Sequence, residues 1–190
     1  MRKPFAATRT TETAPAGPTR TAAPPAAPAS ADTPLADAPP LATAPPRLTL
    51  AGDLARPARL AVADLLAWPQ HRAEVTFECA TDGARRHRFT GPLLHDVLSA
   101  AAPGFDAARR KDRLRFLIAV TGADGHRTLL TWAEIDPDFG RAPVLLATTL
   151  DDHRLDTTGP QLVVPQDRCG ARYVSGVRAI RVDGGYPGTH

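Results

Sequence analysis

The sequence predicts a mixed α+β domain of mostly antiparallel strands with short helices, carried behind a tail. Three observations predict it. Stretches with apolar residues at alternate positions outnumber stretches with helical spacing. The helical stretches are short and bounded by prolines such as Pro69, Pro92 and Pro103. Eleven of the 20 prolines fall in residues 1–46, which are otherwise mostly Ala and Thr. Such a segment buries too little apolar surface to offset the entropy of ordering it. It is expected to be a disordered, partly polyproline-like tail. The folded domain is then expected over residues 47–183, with a short tail at 184–190.

Along that domain, RLTLAG (47–52) alternates and ends in a Gly-Asp turn, the pattern of a strand. AVADLLAWP (61–69) reads as a short helix opened near Asp64 and stopped by Pro69. AEVTFEC (73–79) sets Val75, Phe77 and Cys79 on one face against Thr76 and Glu78 on the other. That is a half-buried strand, and HRFTG (87–91) is a second short one. PLLHDVLSAAAP (92–103) places Leu93, Leu94, Val97 and Leu98 at helical spacing. DRLRFLIAVTGADG (112–125) and HRTLLTW (126–132) make a strand, a Gly-Ala-Asp-Gly turn and a returning strand. WAEIDPDFG (132–140) is a helical turn broken by Pro137. APVLLATTL (142–150) is a buried strand, DDHRLDTTGP (151–160) a polar loop, and QLVVP (161–165) and ARYVSGVRAIRV (171–182) closing strands.

Composition narrows the functions open to the chain. The net charge of +3 is too mild to argue for nucleic acid, so RRHR (85–88) and RRKDR (109–113) are local features. Such runs are solvated faces or holders of a small anion. Cys79 and Cys169 lie 90 positions apart (169 − 79) and the six histidines are scattered, which makes no zinc pattern. No stretch approaches the ~18 apolar residues of a membrane helix. The start MRKPFAATRTTETAPAG lacks the apolar run of a secretory signal. A cytoplasmic protein is expected, with export by an unusual signal left open. There is no dinucleotide-binding GxGxxG and no P-loop.

The order of FECATDG (77–83), FTGPLLHDVL (89–98), GADGH (122–126), AEIDPDFG (133–140) and PQLVVPQDRCGARYVSGVRAI (160–180) resembles the molybdopterin-binding domain of the sulfite oxidase family, including its small stand-alone bacterial members. The resemblance implies that fold, and a molybdopterin cofactor whose molybdenum takes a thiolate from Cys79. A soft thiolate suits a metal that cycles between oxidation states by two electrons, with the cofactor carrying oxygen-atom transfer. It further implies that Asp82 and Gly83 stand in the cofactor loop and that Arg168 and Arg172 face the cofactor's phosphate. Arg85 would meet an oxyanion or an S- or N-oxide substrate, and His126 would relay protons. No haem, flavin or iron–sulfur motif is present, so electrons would pass to an external carrier.

The chain departs from the family pattern at several places. Thr81 and Asp82 occupy loop positions where a Gly-Asn pair is common, and His126 stands where better-known members have a tyrosine. The cationic run near the C-terminus reads GARYVSG (170–176), with Arg172 kept but Ser175 and Gly176 replacing a lysine and a tryptophan. Set beside larger members, the sequence is expected to lack an upstream segment, a dimerisation domain and a haem domain. These losses keep a second reading open: a non-catalytic relative that binds a pterin, another small anion or a protein partner.

Overall fold

The computed structural model describes residues 44–79 and 83–185. The side chains at 77–79, 83 and 84 lie outside that description, as do Thr81 and Asp82 entirely. The order of elements is β1 (Leu48–Gly52), β2 (Ala58–Leu60), α1 (Val62–Leu65), β3 (His71–Cys79), β4 (Gly83–Gly91), α2 (Leu94–Ala100), β5 (Leu117–Gly122), β6 (Arg127–Thr131), α3 (Trp132–Ile135), β7 (Leu145–Ala147), β8 (Thr149–Leu150), β9 (His153–Arg154), β10 (Gln161–Val163) and β11 (Val177–Asp183). The strands form a five-stranded sheet, β2-β1-β11-β5-β6, a four-stranded sheet, β3-β4-β8-β9, and a pair, β10-β7. Only β1 and β11 run parallel among these neighbours. The predicted α+β class, mostly antiparallel with short helices, is the one observed.

Period-two alternation builds the large sheet. Register sets Leu50 beside Ile180, Ile180 beside Val120, and Val120 beside Thr128, so one buried row crosses four strands. A parallel row of Val182, Ile118 and Leu130 lies next to it. One-residue slippage of any strand would turn these side chains to water, which fixes the register. Leu94, Val97 and Leu98 of α2, and Val62 and Leu65 of α1, supply further core side chains.

Four segments differ from the sequence expectation, each for a local reason. Residues Asp112–Arg115 form a 3₁₀ turn and not the start of β5. Asp112 there accepts bonds from the Asp106 N–H at 2.8 Å and the Arg115 Nε at 2.7 Å. The run 142–150 splits at Thr148, whose N–H and hydroxyl both donate to Thr90 O, carrying the chain from β10 to β4. The polar loop at 151–160 opens with a tight turn, Asp151 and Asp152 at φ 48° and 66°, that makes β9. The closing strand starts only at Val177, because Gly176 turns the chain at φ 55° with Thr158 O 2.8 Å from where a Cβ would sit. A tryptophan at position 176 would not fit this backbone.

At the junction of β4 and β7 the backbones touch. A Cβ on Gly91 would stand 2.2 Å from Leu146 O. Gly91→Ala is expected to destabilise the domain by roughly 3 kcal/mol, the upper end for overpacking, because backbone cannot yield as a side chain does. Urea unfolding measures it, and a midpoint equal to wild type would contradict the contact.

Candidate functional site

Strands β3 and β4 form the longest hairpin, nine pairs from His71–Gly91 to Cys79–Gly83. One face is legible from β4 alone. Phe89 is 1 % exposed, His87 is half-buried and Arg85 is exposed. Opposite His87, Val75 is buried. The hairpin therefore leaves the core as it approaches its end, and the register position of Cys79 belongs to the last pair, two residues beyond the Phe77–Arg85 pair. On the other face Arg86 reaches Glu74 at 3.9 Å.

The Asp151–Asp152 turn braces this hairpin. Asp151 accepts from the Arg88 N–H and pairs with His87 Nδ1, each at 2.8 Å, while Asp152 pairs with the Arg88 guanidinium. The Arg88 N–H first, then His87, hold the Asp151 carboxyl below its usual value.

The loop between β10 and β11 stands beside the hairpin, since Tyr173 meets Phe89 edge to face with centroids 6.3 Å apart. This loop is pinned from three directions. Tyr173 donates its hydroxyl to Val164 O at 3.0 Å. His126 Nε2 donates to Ala171 O at 3.0 Å, and the His126 N–H is itself held by Asp124. Arg172 makes the third attachment. Its Nε and one terminal nitrogen grip Asp167 at 2.8 and 2.6 Å, and the other terminal nitrogen reaches Glu134 at 2.9 Å. Asp167 first and Glu134 second raise the pKa of the guanidinium well above its ordinary value. Burial pushes Glu134 up, but bonds from the Thr131 N–H and Arg172 outweigh it and leave its carboxyl lowered.

The sequence-predicted residues thus fall into two groups. Arg172 and His126 are brought to one pinned loop, which also carries Arg168. Arg85 and the backbone of Cys79 and Gly83 belong to the hairpin. Asp82 lies outside the described residues, as does the side chain of Cys79. Arg168 is exposed and makes no hydrogen bond or ion pair among the described residues. Cys169 is exposed and free, at the position that opens the 3₁₀ turn Gly170–Arg172. Sequence reasoning missed Asp167 and Glu134 as partners of Arg172. The Thr131-Trp132-Ala133-Glu134 spacing did carry a signal, since a Thr followed three residues on by Glu is a capping-box pattern, here with the Thr131 N–H on Glu134 at 2.6 Å.

The chain belongs to the oxidoreductase molybdopterin binding domain family, whose profile matches residues 36–184. Among solved structures it is similar to the sulfane dehydrogenase SoxCD from Paracoccus pantotrophus, with 20 % identity and a TM-score of 0.56. That match covers 73 % of this chain and 38 % of the other, so the chain spans well under half the length of this neighbour. No curated protein matches. No helix among the described residues is long and apolar enough to cross a membrane.

The family's cofactor is anionic and presents a metal that accepts soft ligands. The hairpin end sets the backbone of Cys79 in its last pair, two pairs beyond the exposed Arg85. Arg172 does not suit an anionic group. Any phosphate reaching it would also face Asp167 and Glu134, whose two negative charges exceed its one positive charge.

Proposed function

We propose that this domain is a molybdopterin-dependent oxidoreductase in which Cys79 supplies a thiolate to molybdenum. The observation that supports the reading is the register of the β3–β4 hairpin, whose last pair carries the backbone of Cys79 two pairs beyond the exposed Arg85. When bound, the cofactor supplies two-electron oxygen-atom transfer. The chain's own residues do the rest. Arg85 orients a small oxyanion or an S- or N-oxide through charge-assisted bonds. His126, with Nε2 committed to Ala171 O, has Nδ1 left to take or give a proton. Electrons leave to an external carrier.

Metal analysis and pterin fluorescence on protein made in a molybdenum-replete host test the reading. The expected result is about one molybdenum per chain, lost in Cys79→Ser, because a hydroxyl is a poor substitute for a soft thiolate donor. Metal retained in Cys79→Ser would remove Cys79 from the site. The engagement of Arg172 by two carboxylates favours a second reading, a non-catalytic relative that binds a pterin, small anion or protein partner. Absence of metal from both proteins is its expected outcome.

A further inference from the structure

Asp151 and Asp152 sit at φ 48° and 66°, both in the left-handed region, in the two-residue turn that joins β8 to β9. Positive φ at both central residues is the backbone that Asn-Gly and Gly-Gly turns adopt most easily, and an Asp pair holds it under strain. What neither of those turns supplies is two carboxylates. Asp151 accepts the Arg88 N–H on Oδ1 and pairs through Oδ2 with His87 Nδ1, each at 2.8 Å, while its own N–H donates to Arg88 O at 2.7 Å. Asp152 pairs with the Arg88 guanidinium, whose Nε is buried without a partner among the described residues. The ladder between β4 and β8 stops at the Phe89–Leu150 pair. The turn therefore carries the attachment past the end of that ladder, onto the Glu74–Arg88 and Val75–His87 pairs of the hairpin. Cys79 lies five pairs beyond the Glu74–Arg88 pair, about 17 Å at ~3.4 Å per residue. A tilt of about 10° at the turn would move the Cys79 backbone by about 3 Å.

We infer that Asp151 and Asp152 are positioning residues: the turn keeps a strained sequence because its two carboxylates fix the angle of the β3–β4 hairpin, and with it the place of the Cys79 backbone. The inference rests on the proposed metal site only for what that placement serves; the brace itself stands on the bonds to His87 and Arg88. A turn that served stability alone would do as well with Gly-Gly, since exposed ion pairs are worth little. Side chains that orient a metal ligand are a different matter, because their loss lowers metal affinity by about 10- to 100-fold. The two demands oppose each other at this turn, and the Asp pair meets the second.

The pair Asp151→Gly with Asp152→Gly separates the two demands. Thermal unfolding, amide hydrogen exchange at Val75, His87 and Arg88, and molybdenum per chain kept through desalting are measured on the full chain from a molybdenum-replete host. The unfolding midpoint is expected to stay within about 3 °C of wild type, because relief of the left-handed strain offsets the lost exposed bonds. Exchange at the three amides is expected to quicken about tenfold, the worth of a lost charge-assisted contact. Molybdenum is expected to be held about tenfold less tightly, the low end for loss of a group that supports a metal ligand. Asp151→Asn with Asp152→Asn is the conservative variant. It keeps a side-chain oxygen at each position and tolerates positive φ, so exchange and molybdenum should return most of the way to wild type. Wild-type exchange in the Gly-Gly protein overturns the inference, and so does a midpoint that falls further than stated along with the metal, which would make the turn an ordinary stabiliser of the fold. A wild type without molybdenum sinks the cofactor reading alone, and exchange set against the midpoint then decides whether the turn directs the hairpin.

Discussion

Replacing Asp136 with alanine is expected to remove about 3 kcal/mol of folding stability, the low end for breaking a buried charged pair. Asp136 has no exposed surface and sits just past α3. Its Oδ2 accepts from Arg113 at 2.7 Å and from the Trp132 indole N–H at 2.8 Å, and Oδ1 accepts from the Asp138 N–H at 2.9 Å. Truncation removes the acceptor of three donors at once, one of them the indole N–H of Trp132, the largest fully buried side chain of the core. Arg113 stays partly solvated, which is why the low end applies. It also keeps its second partner, Asp138, at 2.7 Å and its position over the Phe139 ring. Asp138→Ala is the matched control, because it removes the exposed partner of the same arginine and should cost under about 1 kcal/mol. Urea unfolding of both variants gives the comparison, and equal losses would show that burial does not set the worth of the pair. Since Glu134 lies on the same short helix, the Asp136 variant should also loosen the loop held by Arg172.

The contrast with the sequence explains what could be foreseen. Alternation in LTLAG, LIAVTG and RTLLT made β1, β5 and β6 legible, since a sheet with one buried face writes its period into the chain. The hairpin was half legible: HRFTG showed, but GARR has no apolar partner for a core and its pairing with β3 depends on register beyond the core. The thiol position, Arg85 and His126 could be singled out because motif order marks them. The ion pairs of Arg172 could not. Asp167 is five residues from Arg172 but Glu134 is 38 residues away, and no local pattern says which carboxylates a guanidinium meets after folding.

Tyr173 should make the domain sensitive to alkali. Burial first, and the negative charge of Asp167 second, push its phenol up to about 12 from the ordinary 10.0. The folded state therefore holds this proton more tightly than the unfolded chain. The resulting stability is fully present below pH ~10 and is lost as pH rises through about 12, a loss of roughly 2 kcal/mol for a shift of this size. Ionisation would set a charge against the Phe89 ring and cancel the bond donated to Val164 O, so the junction of loop and hairpin fails first. Tyr173→Phe keeps the ring contact and cannot ionise. It should cost about 1 kcal/mol at neutral pH, the net worth of the lost hydrogen bond, yet show a flatter decline between pH 10 and 12 and overtake wild type near the top of that range. Urea midpoints taken across alkaline pH test this, and parallel curves for the two proteins would mean that another group governs the alkaline limit. Because Tyr173 follows Arg172 directly, the same titration should release the loop tip.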